Sequence, residues 1–454
     1  VKYRIEADTL GEFKIPEDKY WGPQTQRSLQ NFPIGRETIP DEVIEALAII
    51  KKSAAIANRN LGQLENGLCS AICRAAEEIQ EGKLASHFPL SVWQTGSGTQ
   101  TNMNLNEVIA NRCNELLAGP LVHPNDHVNR SQSSNDVFPS AIHVAAVKSI
   151  VTRLIPALRR IRNTFKQLET DNGHIIKIGR THLQDATPIT WGQEVSAWYR
   201  MMEKSESMIV SAVEQLKELA IGGTAVGTGL NAPAGFADTV VDEISQSLGI
   251  AFRSAENKFH ALTSKDELVF VHGALKALAA DLMKIANDVR WLASGPRAGI
   301  GEIKIPANEP GSSIMPGKVN PTQSEAVTMV VSQLFGNDVT IGFAASQGNF
   351  QLNVFMPVIA HNVMQSITLL ADAITSFNDN CCIGIQANVG RMAENLENSL
   401  MLVTALNPYI GYDKAAAIAK HAYANNTTLR DAAVALGIMS GSEFDRIVKP
   451  ENMV

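Results

Sequence analysis

The stretch Leu268-Val-Phe-Val-His-Gly-Ala-Leu-Lys-Ala-Leu-Ala-Ala-Asp-Leu-Met-Lys-Ile-Ala-Asn-Asp-Val-Arg-Trp-Leu292 sets apolar residues at 268, 271, 275, 278, 282, 285, 289 and 292. Steps of three and four alternate without a break, which is the period of a helix with one face turned to a neighbour. Two earlier series share this rhythm. One runs Val147, Val151, Leu154, Leu158, Ile161, Phe165, Leu168, and the other Val195, Trp198, Met202, Ser205, Ile209, Ala212, Leu216, Leu219, with one polar exception. Seven or so heptad-like steps make each helix about 30 residues, or roughly 45 Å long. Pro156 predicts a kink in the first. Two more apolar segments follow at 324–334 and 354–377. Long helices gathered in one region of sequence read as a bundle. Some faces carry more apolar residues than one seam needs, as at Val269 beside Leu268 and Val271, and at Val327, Val330 and Val331. Burial against other subunits and a thick internal core both explain that surplus.

Residues 1–40 read as extended and irregular, with turn signals at Gly11, Pro16, Gly22, Pro33 and Pro40. Helical patterning starts near Asp41, an N-cap candidate after Pro40, and returns across 68–79 and 104–117. The segment 385–454 is smaller and more polar, with helices expected near 392–406, 414–424 and 429–436. The expected fold is mostly α: a central long-helix bundle over 137–384 with a smaller N-terminal domain over 1–136 and a small helical C-terminal domain over 385–454. The chain of 454 residues carries a formal charge of −7 and no basic cluster, which disfavours nucleic acid as a partner. No run of about 18 apolar residues suggests a membrane span, and the first six residues do not read as a signal peptide. Five scattered cysteines, 69, 73, 113, 381 and 382, without a Cys-x-x-Cys, fit neither a disulfide framework nor a zinc site, so a reducing compartment is expected.

Four polar clusters interrupt the helices. They are Gly96-Ser-Gly-Thr99 with Thr101 and Asn102; Asn129-Arg-Ser-Gln-Ser-Ser-Asn-Asp136; Gly179-Arg-Thr-His-Leu-Gln-Asp185; and Gly311-Ser-Ser-Ile-Met-Pro-Gly-Lys-Val-Asn-Pro321. Hydroxyls, amides and free N–H groups at helix starts suit an anion. One of Ser133, Ser134, Asn135 and Asp136 must also cap the helix that follows. His182 can exchange protons at neutral pH, with Arg180 and Asp185 as neighbouring candidates for chemical work. The run 222–229 lacks the ending of a P-loop and reads as a turn, with Thr224 and Asn231 as outer groups of a site. His123 and His127 lie four apart, but Pro124 denies them one helical face, so no metal is expected there.

Together these motifs resemble the fumarase/aspartase superfamily over nearly the whole chain. Residues 311–321 match its Gly-Ser-Ser-x-Met-Pro-x-Lys-x-Asn-Pro signature. Within it, Gly179-Arg-Thr-His-Leu-Gln-Asp185, His123-Pro-Asn-Asp126 and Lys318-Val-Asn-Pro-Thr-Gln-Ser-Glu325 are similar to class II fumarases; aspartate ammonia-lyases carry Gln where His182 stands. The resemblance implies reversible hydration of fumarate to L-malate, without metal or organic cofactor, in a homotetramer whose active sites each draw on three subunits. It implies Ser312 as the base for the C3 proton, a choice over Ser313 that the residues alone leave open. It implies His182, with Glu325 as partner, for the hydroxyl proton. Substrate contacts carry over to Ser97, Gly98, Thr99, Ser133, Ser134, Asn135, Thr181, Ser313, Lys318, Val319 and Asn320. A second dicarboxylate site outside the active site carries over to His123, Pro124, Asn125 and Asp126. Here Gly119-Pro-Leu-Val122 replaces a longer basic segment found in some relatives, so a cation beside that second site is missing. The cytoplasm is the expected compartment, or the mitochondrial matrix where a presequence has been removed. The rival readings are an aspartate ammonia-lyase and a non-catalytic helical-bundle relative.

Overall fold

The computed structural model describes residues 2–454 and is dominated by helices. In chain order the α-helices are α1 (Pro23–Asn31), α2 (Asp41–Asn60), α3 (Asn66–Gln80), α4 (Thr99–Leu116), α5 (Ser134–Ser149), α6 (Ile155–Asp171), α7 (Trp191–Leu216), α8 (Phe236–Leu248), α9 (Lys258–Thr263), α10 (Asp266–Leu292), α11 (Thr322–Ala345), α12 (Met356–Asn380), α13 (Val389–Glu397), α14 (Asn407–Ile410), α15 (Tyr412–Asn425), α16 (Leu429–Ala435) and α17 (Gly441–Ile447). Two antiparallel hairpins matter here: β1 (Tyr3–Asp8) with β2 (Gly11–Pro16), and β3 (Ile176–Thr181) with β4 (Gln184–Thr190).

The period read from sequence is the period that is buried. All eight residues of the 268–292 series are inside, as are all eight of the 195–219 series, Ser205 included. The 147–168 series is buried through Phe165 except at one place, and Leu168 at its end is half-buried: Val151 is 36% exposed while Ile150 is fully buried. The chain is wound as a π-helix over Ile150–Leu154, just before Pro156. Proline has no N–H to give the preceding turn, and the wider turn absorbs that loss by adding a residue, which rotates Val151 outward. The expected kink is therefore a π-turn. The apolar surplus on the long helices is only partly used within the chain. Val327 and Val331 are buried, but Val269, Phe270, Met329, Val339 and Phe343 stay exposed.

Residues 2–40 are more ordered than their turn signals imply. They hold the β1–β2 hairpin and α1, and α1 owes its start to a distant group. The buried Glu107 carboxylate on α4 accepts the N–H groups of Gly22 (2.9 Å), Gln24 (2.8 Å) and Thr25 (3.2 Å), together with the Thr25 hydroxyl. An anion on free N–H groups at a helix start is favourable, and no local sequence pattern announces it. Asp41 is the first residue of α2, and Pro40 holds the cap position. The segment before α7, read as a polar loop, is the β3–β4 hairpin. The 324–334 segment extends to Ala345 as α11.

By their contacts the residues fall into two compact units, Val1–Pro156 with Ser205–Ala279 and Ser332–Ala371, and Ala157–Lys204 with Ala280–Val331 and Asp372–Val454. In the first, α2 packs against α3, α5 and α8. In the second, Leu406, Ile418, Ala432 and Phe444 centre an apolar cluster of the last fifty residues or so. All five cysteines are free thiols.

Candidate active site

In the first unit, the polar clusters before α4 and α5 meet. The hydroxyls of Ser97, Thr99 and Ser134 form a chain with 2.8 Å links. Gly98 is at the cap of α4 with φ +72°, and a Cβ there would strike the Phe138 ring at 2.4 Å, so only glycine fits. Ser133 caps α5: its hydroxyl accepts from Asn135 N (3.2 Å), and Asp136 returns a bond to Ser133 N (3.0 Å). The Asn135 amide donates to Ala225 O at 2.8 Å. Asp136 is fully buried and also accepts from Gly222 N and Thr224 N, both at 2.9 Å. Burial pushes its carboxyl up, against these donors. The run 222–229 is thus a turn: Gly222 and Thr224 give their N–H groups to Asp136, and Gly223, Gly227 and Gly229 give theirs to backbone carbonyls.

Beside these residues lies a cleft of about 650 Å³. Its walls include Thr99, Asn102, Ser133, Ser134, Thr224 and Asn231, and also Asn125 and Asp126. Of the residues expected to bind substrate, Thr99, Ser133 and Ser134 therefore open on the same space as two of those expected at a second site. Arg130 lines it too, with its guanidinium at Gln63 Oε1 (3.3 Å) and Asp126 O (3.5 Å). It brings a cation to the neighbourhood from which 119–122 removed one. His123 is engaged locally. Its Nδ1 accepts from Asn125 N (3.3 Å) and Asp126 N (3.2 Å), so the nearby Asp126 carboxylate is not its ion-pair partner. His127 Nδ1 accepts from His123 N at 2.8 Å.

In the second unit, Thr181 and His182 are at the tip of the β3–β4 hairpin. His182 and Leu183 have φ of +56° and +59°, a two-residue turn in a region that glycine and asparagine favour. Both side chains are exposed. The first strand of the hairpin is anchored by a buried ion cluster that reaches from Lys177 near the root to Arg180 beside the tip. Arg180 grips Glu302 with two bonds (2.9 and 2.8 Å), Lys177 Nζ is 3.0 Å from the same carboxylate and 2.7 Å from Glu194, and Asn395 donates to Glu302 Oε1 at 3.0 Å. Burial drives the Glu302 carboxyl up, but Arg180, Lys177 and Asn395 hold it below the usual carboxylate value. Arg180 is therefore spent on holding the hairpin, and is not free for the chemical work its place beside His182 suggested.

The loop 311–321 closes on itself. Gly311 N donates to Lys318 O (3.0 Å), Asn320 Nδ2 to Gly311 O (2.6 Å) and Lys318 Nζ to Asn320 Oδ1 (2.7 Å). A Cβ on Gly311 would meet Lys318 O at 2.2 Å, and Gly317 has φ +80°. Ser312 Oγ accepts two backbone N–H groups, Ile314 at 3.3 Å and Met315 at 3.1 Å. Ser313 has no such donors among the described residues, so the two serines that the sequence leaves equivalent are not equivalent in the fold. Val319 and Lys318 are exposed, and Glu325 is exposed in the first turn of α11. No hydrogen bond joins His182 to Glu325 among the described residues of this one chain.

Three groups in the fold were not singled out by sequence. Lys51 and Asn58 are fully buried on α2, and Glu302 is fully buried under the hairpin. A charge inside the apolar run 43–57 was a usable signal; the Glu302 partners, 122 residues away at Arg180, were not. Among the described residues, His260, Asp266 and Glu267 lie close enough together to take a metal, and none of them lines the cleft.

The model of a family described as lyase matches residues 11–336, and one described as the fumarase C C-terminus matches residues 402–454. The chain is 63% identical to the class II fumarate hydratase of Bacillus cereus and 59% to that of Bacillus subtilis, each over 100% of this chain and 99% of the relative. The crystal structure of class II fumarase from Schistosoma mansoni superposes with a TM-score of 0.97 at 42% identity, covering 100% of this chain and 99% of that one. A fumarate lyase:delta crystallin from Brucella melitensis, described as bound to cobalt, gives 0.94 at 42% identity over 100% and 99%. The chain belongs to the class II fumarase family of the fumarase/aspartase superfamily.

Proposed function

We propose that the protein is a fumarate hydratase, a carbon–oxygen lyase that interconverts fumarate and L-malate. The observation that carries this reading is full-length identity of 56–63% to class II fumarate hydratases. Taking the proton next to a carboxylate builds a second negative charge there, which fixed donors and a cation must hold. Lys318, Asn320, Ser313, Val319 and Thr181 are of the types that supply such groups, as are Ser97, Gly98, Thr99, Ser133, Ser134 and Asn135. Ser312 takes the C3 proton. A neutral serine is too weak a base for that, and the N–H groups of Ile314 and Met315 on its oxygen favour the alkoxide. His182 handles the proton of the leaving hydroxyl, with Glu325 of a neighbouring subunit or the same one as its partner. The second dicarboxylate site at 123–126 has Arg130 as its cation. The protein works as a homotetramer with shared sites, in the cytoplasm, and its chain reads as three regions, 1–136, 137–384 and 385–454.

The test is the absorbance of the fumarate band after L-malate is added to purified protein with a chelator present, with L-aspartate in parallel. A rise with malate alone is expected. A rise with aspartate alone would replace this reading with that of an ammonia-lyase.

A further inference from the structure

Lys51 has no place in the chemistry above, yet it is fully buried. An ammonium can only donate. Its Nζ donates to Asn129 Oδ1 and to Gln132 Oε1, both at 3.0 Å. That contact dictates the orientation of every amide next to it. Asn129 must turn its oxygen to Lys51. The same oxygen then accepts from Asn102 Nδ2 (3.1 Å) and Asn106 Nδ2 (3.2 Å), so those amides must turn their nitrogens inward. The Asn129 nitrogen is left to donate to Gln132 O at 3.2 Å. The Gln132 nitrogen is left for Val128 O and Arg130 O at 3.1 and 2.9 Å. Asn102, Asn129 and Gln132 all line the cleft. Asn102 Oδ1 and Thr224 Oγ1, on two buried wall residues, have no partner among the described residues. Two turns along the same face of α2, Asn58 holds the other side of this loop, donating to Arg130 O (3.0 Å) and accepting from the Ser131 hydroxyl (2.8 Å).

We propose that Lys51 is a positioning residue for dicarboxylate binding: by donating to Asn129 and Gln132 it fixes the amide orientations in the cleft wall and sets a positive charge one layer behind it. This rests on the fumarate-hydratase reading for its substrate, though not for the cleft itself. A buried charge held only by neutral amide oxygens is costly to keep, and burial pulls the ammonium down to about 7, with the buried Asp136 carboxylate opposing. A dianion in the cleft supplies the counter-charge that the amides lack.

The experiment is K51M in the full-length protein, which keeps an unbranched side chain one atom shorter and removes the charge and all three donors. Fumarate KM and the binding constant of succinate, which has no double bond to hydrate, are measured beside the thermal midpoint. KM and the succinate constant are expected to weaken about tenfold or more, with kcat little changed and the midpoint not lowered. Unchanged constants overturn the proposal, and so does a loss that only follows a fallen midpoint, since that is a structural effect. If K51M does not fold, N129L keeps the buried lysine and removes the shared acceptor; succinate binding of wild-type strength in it overturns the proposal. Wild-type protein that binds succinate but does not hydrate fumarate would sink the functional reading and leave this one standing.

Discussion

Two polar loops, 129–133 and 311–321, each lead into a helix and each carry residues assigned to the same reaction, but they are held in opposite ways. The first is pinned from outside by buried groups. Lys51 and Asn58 hold it from α2, and Asp136 holds its end. The second is held by its own backbone and by Asn320, and its apolar residues face outward, Ile314 at 83% exposure. The hairpin tip bearing His182 is like the second, anchored along its strand at Lys177 and Arg180 and bare at its end. One part of the candidate site is thus built within a single chain. The other consists of well-shaped pieces that await a cover, as the proposed tetramer would provide.

Ser312 bears most directly on the difference between the two loops. If the N–H groups of Ile314 and Met315 already shape its oxygen into a base, S312A should remove exchange of the C3 proton of malate. A loss of roughly 10²–10⁴ in turnover is expected, with dicarboxylate binding, which the pre-built cleft supports, still detectable. Exchange at the wild-type rate, followed by proton NMR in deuterated water, would take Ser312 out of the mechanism.

The next effect is in stability. E302Q keeps the shape of the side chain but leaves Lys177 and Arg180 without their shared buried anion. Breaking such a cluster costs about 3–5 kcal/mol, read as a lower denaturant midpoint. The sign with pH follows from the lowered carboxyl. The stabilisation is complete above the unfolded value of about 4.3 and is lost as pH falls through the folded value. The gap between wild type and E302Q should therefore narrow on acidification below about 4. A gap that is flat with pH would show that the hairpin does not depend on the charge.

What the sequence made legible was periodic or local. The heptad rhythm named the buried face of α10 residue by residue, and the capping role within 133–136 was visible as a requirement, though not which residue met it. What escaped was long-range. The α1 helix starts where it does because Glu107 reaches back to Thr25. The loop before α7 is a hairpin because Arg180 finds Glu302. Ser312 differs from Ser313 only through the bend that brings Met315 N over it. Lys51 was the exception: with Lys52 it forms a pair of charges among alanines and isoleucines, and a reading for helix period passes over both as solvated. Long-range polar pairing leaves no period, so only the folded chain shows it.

The smallest effect tests whether the exposed half is truly awaiting a cover. In a lone chain Ile314 makes little contact, and I314S should change its folding stability by no more than about 0.5 kcal/mol. In an assembly that buries this loop, the same change removes an isoleucine from an apolar contact and should weaken association by about 1.5–3 kcal/mol. The measurement is light scattering over a dilution series, with urea midpoints taken above and below the concentration at which the assembly forms. A penalty that appears only in the assembled protein means that the loop is completed by a neighbour, as the contrast with 129–133 requires. No penalty in either state would mean that the loop works while bare, and the difference between the two halves would then be one of rigidity rather than of completeness.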